Sequence, residues 1–423
     1  MVSASTQQPE AARSGGPRTA PPKRVAALIA VLGALTAVAP LATDMYVPAF
    51  PQLGEALHTS SSAVQLTMTA FLAGLVAGQL VIGPVSDGIG RRGLLVWGSV
   101  GFTLMSLVCA FAPNIQILTA ARFLAGVCGA AGMVLARAVV TDLFHGRDIP
   151  RYFTLLSQVL GIAPIAAPVL GGAILSVSTW RATFAALVVI GVLLTASVLA
   201  AVPESLPPER RNKDGLGGTF RAMGRLTRDR GLMGYTLVLA LISAALFTYI
   251  AGSSFVFEEI HGTSPTTYAL IFASNAVGML LANAVFARLA RRLSLNLLLT
   301  CAIGIALAGS LAQAVLVATV GESFAGTWIT LFLTMAGIGV TFPATMSLGQ
   351  TLGRTAPGAT SALMGGLQFL AGAVVSPVVG LFGTASSLPM ALIMLTSVLL
   401  AALALLTLAR PWLRLGEAET HGE

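Results

Sequence analysis

Residues 83–92 read GPVSDGIGRR. They separate two apolar stretches that are each long enough to cross a bilayer, because a transmembrane helix needs about 20 residues. A polar turn with glycine, proline and paired arginines between two such stretches is typical of two membrane helices that meet at one surface. The stretch therefore predicts a membrane-embedded helical hairpin, and the same alternation continues along the chain.

The composition also indicates a membrane protein. Of the 423 residues, 56% are apolar and 9% are charged, whereas soluble proteins carry about 25% charged residues. The mean hydropathy of +0.86 excludes a water-soluble chain. The formal net charge is +8, but the basic residues form short clusters between apolar stretches. We therefore expect lipid, and no nucleic acid, as the partner of this chain.

Hydropathy predicts an all-α integral membrane protein with twelve transmembrane helices. The predicted spans are 25–49, 63–86, 93–112, 116–140, 152–176, 182–202, 231–257, 266–287, 295–320, 325–349, 358–383 and 387–409. Of the 24 lysines and arginines, 21 fall in segments that lie inside if the N-terminus is cytoplasmic. Because basic residues concentrate in cytoplasmic segments, both termini are expected to be cytoplasmic.

The chain divides at a polar linker, residues 203–230, which carries seven basic residues. A six-helix bundle is predicted on each side of it, over 25–202 and 231–409, with a disordered cytoplasmic tail at 1–24 and a cytoplasmic tail at 410–423. Weak repeats relate the two bundles: residues 83–92 are echoed at 287–292, and 167–171 at 376–380. Two pseudo-symmetric halves around a central cavity are typical of transporters.

The sequence lacks residues that some energy sources for transport would require. The two lysines, Lys23 and Lys213, are not part of a phosphate-binding loop, so ATP-driven pumping within this chain is excluded. The cysteines and histidines lack the spacing of a metal site. We expect no cofactor, no metal and a proton gradient as the energy source.

Asp44 is the one acid that lies deep in an apolar run. An ionised carboxylate in the bilayer costs at least about 2.5 kcal/mol, so Asp44 should be neutral when it is unpaired. Pro40 and Pro48 loosen the helix around it. We expect Asp44 to carry a transported proton; the alternative is a solvated residue at the outer helix end.

Arg122 is the expected partner of Asp44. It lies about six residues into the fourth span, on a face with Gly126 and Ala130, and a buried guanidinium needs a counter-charge. The alternative is an arginine that reaches back to the outer membrane surface.

Several stretches resemble the major facilitator superfamily. Residues 83–92 resemble its loop signature, and residues 43–49 (TDMYVPA) resemble the first helix of the bicyclomycin and chloramphenicol-type drug:proton antiporters. Residues 122–131 resemble its fourth-helix motif, although Ala125 replaces the usual glutamine. Residues 161–172 resemble the antiporter motif of the fifth helix, with Ala167 in place of a glycine. The resemblance implies the twelve-helix fold and drug export.

Two groups of residues are predicted to control gating. Gly83 would allow a close helix contact, while Asp87, Arg91 and Arg92 would join Asp142 across the cytoplasmic face and hold the two halves closed there. The alternative for the arginines is a purely topological role. A kinked face of small residues in span five is predicted to pack on the other half: Gly161, Pro164, Pro168 and Gly171.

The predicted cavity is lined by aromatic and amide side chains, which suit an amphipathic neutral or weakly cationic molecule. These residues, each of which could instead serve packing, are Tyr46, Gln65, Gln158, Phe247, Tyr249, Asn275 and Gln368. We predict a monomeric proton-coupled exporter of small amphipathic drugs in a bacterial inner membrane. Export of an endogenous metabolite or a self-made antibiotic, a channel, and a membrane enzyme are the alternatives.

Overall fold

A computed structural model describes residues 22–144, 148–211, 221, 223–290, 292–354, 356–381 and 386–417. Most of the predicted N-terminal tail, the middle of the linker and the last six residues lie outside this set. The described chain is helical throughout its regular structure.

The N-terminal half contains seven helices: α1 Pro22–Asp44, α2 Phe50–Ala56, α3 Ser61–Ile89, α4 Arg91–Ala110, α5 Ile115–Leu143, α6 Asp148–Leu175 and α7 Trp180–Ala201. The C-terminal half contains six: α8 Arg230–Ser254, α9 Pro265–Leu289, α10 Leu295–Thr319, α11 Phe324–Leu352, α12 Pro357–Leu381 and α13 Leu388–Ala404. A π-helical turn, Phe255–Ile260, extends α8, and another, Leu405–Ala409, extends α13.

Twelve of these helices have membrane-spanning length. Eleven spans satisfy both the length and the hydropathy of a membrane helix over the described residues. The twelfth is α6, which is 28 residues long and apolar over Ile162–Leu175. The predicted all-α fold of twelve spans in two six-helix halves is confirmed.

One predicted helix is interrupted. The first span was expected to run continuously over 25–49, but α1 ends at Asp44 and is followed by a 3₁₀ turn, Val47–Ala49, and the short helix α2. Pro48 explains the break, because its ring and missing N–H do not fit a helix interior. Asp44 therefore lies at a helix end that remains inside the protein.

Glycines bring the helices of the N-terminal half close together. A Cβ built on Gly74 of α3 would lie 2.1 Å from the carbonyl oxygen of Phe123 in α5. A Cβ on Gly126 of α5 would lie 2.1 Å from the carbonyl oxygen of Phe71. Only glycine permits this backbone-to-backbone contact, which is the usual way that membrane helices pack.

Two faces of the molecule can be defined. The linker face is where α3 meets α4 at Gly90 and where α7 enters the linker; the far face is where α1 ends and α3 begins. The two halves contact each other mainly through α3 with α12 and α6 with α9. The described hydrogen bonds that join them lie near the far face: Gln65 Nε2 donates to the Ala251 carbonyl at 3.0 Å, and Thr266 Oγ1 to that of Gly172 at 3.3 Å.

The start of the predicted C-terminal tail packs against the C-terminal half. Tyr235 donates its hydroxyl hydrogen bond to the Leu415 carbonyl at 2.9 Å, and Asn296 Nδ2 donates to Glu417 Oε1 at 2.9 Å. The described part of the tail, up to Glu417, is thus fixed to the linker-face ends of α8 and α10.

Candidate functional site

Asp44 is buried at the end of α1. Its side chain is 3% exposed, and no described donor reaches its Oδ1. The preceding residue, Thr43, turns its hydroxyl back to the Ala39 carbonyl at 3.0 Å. Burial therefore removes water from this carboxyl group, and among the described residues no donor replaces that water at Oδ1.

Arg122 lies in α5 and is 1% exposed. Its Nη1 donates to the carbonyl oxygen of Ala42 at 2.9 Å. Its guanidinium carbon lies 4.3 Å from the centre of the Tyr46 ring and 4.2 Å from that of Phe71. The aromatic faces stabilise the cation by cation–π attraction, which is stronger when water is excluded.

The expected ion pair between Asp44 and Arg122 is not formed in this conformation. The ion pairs of the described residues all involve Arg91 instead. Ala42 and the two rings hold the guanidinium, while its Nε and Nη2 remain without partners among the described residues. A carboxyl group and a guanidinium that could form a bidentate ion pair are therefore both present, but they are not bonded to each other.

The C-terminal half faces this region with a layer of hydroxyl and amide groups. Asn275 Nδ2 donates to the Tyr249 hydroxyl at 2.9 Å, and the hydroxyls of Tyr268 and Ser253 lie 2.9 Å apart. These hydrogen bonds hold the buried hydroxyl and amide groups of α8 and α9 together.

The predicted cavity residues do not meet in one open cavity. Those that are buried in this conformation are Tyr46, Gln65, Phe247, Tyr249 and Asn275. Gln368 is half-buried and Gln158 is exposed. The Tyr46 hydroxyl, for example, is 3.1 Å from Thr67 Oγ1, and its ring packs on Phe50. That the predicted cavity residues bind substrate stays a prediction, and it concerns a conformation other than the one described here.

The predicted gating residues at the linker face form a network within one half. Arg91 Nη1 lies 2.5 Å from Asp87 Oδ1, and Arg91 Nε lies 3.1 Å from Asp142 Oδ2. These residues belong to α3, α4 and α5, so the expectation that their contacts join the two halves is wrong here. The network ties three helices of the N-terminal half together.

The structure also differs from the predictions for two glycines, Gly83 and Gly171. A Cβ on Gly83 would lie 3.6 Å from Val134, an ordinary contact, so this position does not require glycine here. In α6 the missing Cβ of Gly171 faces the Met45 carbonyl of its own half at 2.0 Å, whereas that of Gly172 faces Ala269 of the other half at 2.7 Å. Gly172, rather than Gly171, makes the predicted contact between halves.

The remaining residues of the span-five prediction lie in the same helix. Pro164 and Pro168 are both inside α6, where Pro168 is buried and Pro164 half-buried. Gly161 is in a stretch of α6 whose side-chain surroundings the structure does not describe. The predicted kink at these prolines stays a prediction.

A protein-family model matches most of the chain. Residues 32–376 match the model of the Major Facilitator Superfamily. The chain belongs to the major facilitator superfamily. This confirms the resemblance identified from the motifs, and it places the protein among multi-pass membrane transporters.

Two relatives within the major facilitator superfamily cover nearly the whole chain. The "Uncharacterized MFS-type transporter YdgK" of Bacillus subtilis is 38% identical over 388 residues, 91% of this chain and 96% of the relative. The "Bicyclomycin resistance protein homolog" of Haemophilus influenzae is 28% identical over 392 residues, 89% of this chain and 94% of the relative. A "Chloramphenicol resistance protein" of Pseudomonas aeruginosa is 30% identical over 256 residues, 60% of each chain.

Solved transporters of the superfamily share the fold. The xylose transporter XylE of E. coli, in a partially occluded inward-open conformation, aligns with a TM-score of 0.73 and 14% identity, covering 95% of this chain and 99% of XylE. A bacterial homologue of the human lysosomal transporter Spinster, inward-facing and occupied, aligns with a TM-score of 0.71 and 14% identity, covering 95% and 100%.

Glu204 is a site residue that the sequence analysis missed. Its carboxylate accepts hydrogen bonds from the backbone N–H groups of Arg91 at 2.8 Å and Arg92 at 3.2 Å, which begin α4. The next residue, Ser205, donates to Asp142 Oδ2 at 2.9 Å. The linker therefore caps a helix that begins more than 100 positions earlier, and no local sequence pattern could have indicated this contact.

Proposed function

We propose that this chain is a proton-coupled antiporter that exports small amphipathic, drug-like molecules across a bacterial inner membrane. The observation that carries the proposal is the buried Asp44 carboxyl, whose Oδ1 has no hydrogen-bond partner among the described residues, as is also true of Nε and Nη2 of the buried Arg122 side chain. A carboxyl group that is neutral when it is buried away from water, and charged when it is paired with a guanidinium, can couple proton binding to a change of conformation.

The names of the relatives support drug export. Proteins named for resistance to bicyclomycin and to chloramphenicol match this chain, and so does one named "Multidrug resistance protein D" of Escherichia coli. These names favour drug export over export of an endogenous metabolite or a self-made antibiotic. The cavity side chains, aromatic and amide, suit such molecules better than they suit sugar phosphates.

The proposed orientation places the linker face in the cytoplasm. The basic clusters around Arg91 and in the linker lie on that face, as the positive-inside rule requires. Both termini are then cytoplasmic. Because the described hydrogen bonds between the halves lie near the far face, this conformation corresponds to a transporter closed to the outside, as do the inward-facing structures with the same fold.

The proposed transport cycle follows from two states of Asp44, neutral and buried or charged and paired with Arg122. When the far face opens, water reaches Asp44 and a proton from outside binds to its carboxylate. The neutral group can then be buried as the far face closes. On the cytoplasmic side, drug binding favours release of the proton, and the charged carboxylate pairs with the free N–H groups of Arg122. The pair and the bound drug then favour opening to the outside.

Everted membrane vesicles test the coupling directly. Accumulation of a fluorescent amphipathic drug should require a proton gradient and should stop when a protonophore is added. ATP without a gradient should not support it. The control is the same vesicle with Asp44→Asn, which should insert normally and fail to accumulate drug. Transport that persists without a gradient contradicts the proposal and favours a channel or a facilitator.

A further inference from the structure

Glu258 lies in the π-helical turn that extends α8 at the far face. The neighbouring residues Phe255, Val256 and Phe257 are buried, and Glu259 is exposed. Glu258 is half-buried, and among the described residues no donor reaches its buried Oε1. The two adjacent acids therefore have different surroundings, and only Glu258 turns an oxygen into the protein.

Among the described residues, no lysine or arginine forms an ion pair with Glu258. The Tyr268 hydroxyl of α9 lies 2.9 Å from the Ser253 hydroxyl and interacts electrostatically with Glu258. The exposed Glu259 adds a second negative charge. The ion pairs of the described chain leave Glu258 uncompensated. His261, three residues further on, packs between Phe257 and Phe324, and its buried Nε2 has no hydrogen-bond partner among the described residues.

The turn that carries Glu258 is part of the contact between the halves. It packs against α2, and the ring centres of Phe255 and Phe50 are 6.0 Å apart. Ala251, in the last turn of α8 before this segment, accepts the hydrogen bond from Gln65 of α3 through its carbonyl oxygen. We expect opening of the far face to separate α8 from α2 and α3 and thereby to expose the buried Glu258 oxygen to water.

The charge of Glu258 must therefore depend on this movement. An ionised carboxylate with a buried and unpartnered oxygen loses hydration that nothing replaces, whereas the protonated form loses much less. Closure of the far face thus favours the protonated form. By linkage, protonation favours closure to the same extent, so closure is supported at low pH and weakened as the pH rises.

We propose that Glu258 is a second coupling residue, which takes up a proton from the outer solution and thereby favours closure of the far face. Proton binding forms the carboxyl O–H bond, and reopening returns that proton to the same solution. Glu258 lies beyond the tyrosine layer on the outer side, so it senses external protons while Asp44 carries one across. The inference rests on the proposed orientation of the transporter.

The test measures the distance across the far face. Spin labels are attached at Val177→Cys and Val320→Cys, two exposed far-face positions in the N-terminal and C-terminal halves. The three natural cysteines, Cys109, Cys128 and Cys301, are first replaced. Pulsed electron resonance then records the open and closed populations in nanodiscs between pH 5 and 9, without drug or gradient. All variants carry Asp44→Asn, which removes the contribution of Asp44.

With Glu258 intact, the ratio of closed to open protein should fall as the pH rises, by at most about tenfold per pH unit for one linked proton. Glu258→Gln should remain closed over the whole range. Glu259→Gln is the matched control and should follow the parent, and Glu258→Asp should keep a pH response. If Glu258→Gln titrates like the parent, or if Glu259→Gln abolishes the response equally, the proposal is overturned.

The measurement also separates this inference from the proposed function. It uses no gradient and no substrate, so a failure of gradient-driven export in vesicles leaves its outcome unaffected. Conversely, a flat pH response with normal gradient-driven export rejects the role of Glu258 alone.

Discussion

Arg122 donates a hydrogen bond from Nη1 to the carbonyl oxygen of Ala42 at 2.9 Å, two residues before Asp44. The arginine is therefore anchored to the backbone beside the acid rather than to the acid itself. Its Nε and Nη2, which remain unpartnered among the described residues, form the fork that recognises a carboxylate. We expect a rearrangement at the end of α1 to exchange one arrangement for the other.

Asp44→Asn should abolish proton-coupled export while keeping part of the drug binding. The amide preserves the shape and hydrogen bonding of the carboxyl, but it cannot release a proton. Proton release on drug addition to purified protein is the measurement. Glu55→Gln, which changes an exposed acid of α2, is the control and should release protons like the parent. A normal proton signal from Asp44→Asn would mean that the proton carrier lies elsewhere, with Asp87, Asp142 and Glu258 as the next candidates.

Arg122→Lys should reduce transport strongly even though the charge is retained. Lysine cannot form two parallel hydrogen bonds to a carboxylate, and its ammonium group lacks the planar stacking that fits between Tyr46 and Phe71. We expect at least about a tenfold loss of transport rate, equivalent to about 1.4 kcal/mol. Tyr46→Phe keeps the ring over the guanidinium and should lose much less activity. Equal losses in both variants would contradict a specific role for the guanidinium.

The sequence predicted the helices better than their contacts. Hydropathy was sufficient for twelve spans because every membrane helix must be long and apolar. Pro48 indicated a loosened helix near Asp44, but the end of α1 at that residue was not predicted. The pairing of Asp44 with Arg122 was predicted from charge alone, and charge does not determine which of two conformations a transporter adopts. Glu204 was missed because its contact with α4 depends on the tertiary fold.

Gly172→Ala should shift the transporter away from the conformation described here. Its new Cβ would lie 2.7 Å from that of Ala269 in the other half, and such overpacking costs about 1–3 kcal/mol. The cost applies only while the far face is closed, so the open population should increase. Distance measurements across the far face report it. Gly366→Ala, whose Cβ meets no atom within 4 Å, should leave the distribution unchanged.

Glu204→Gln should destabilise the linker face. Burial alone raises the pKa of the Glu204 carboxyl, but the hydrogen bonds from backbone N–H groups and the charge of Arg211 lower it, and the net pKa lies below its usual value. The ionised form therefore stabilises the fold at neutral pH, and the contribution is lost as the pH falls below about 4.5. We expect a loss of about 1 kcal/mol at pH 7, as for other helix caps.

Thermal unfolding of purified protein as a function of pH measures the Glu204 effect. The difference between the parent and Glu204→Gln should be largest near neutral pH and should shrink in acid, because the parent carboxylate becomes protonated there. Glu209→Gln changes another acid of the linker, and its unfolding should match the parent. A difference that does not vary with pH would indicate lost packing rather than a lost charge.

Glu417→Gln and Gly416→Ala should both loosen the C-terminal segment from its half. Glu417 Oε1 accepts from the backbone N–H of Asn296 at 2.9 Å, in the first turn of α10, where a negative charge is favoured. Gly416 has a φ of +77°, and a Cβ there would lie 2.6 Å from the Leu348 carbonyl. We expect losses of about 1 kcal/mol for the charge and about 1–2 kcal/mol for the backbone strain. Proteolysis near Leu415 should accelerate in both variants, while proton release by Asp44 on drug addition stays unchanged, because the segment lies at the opposite face.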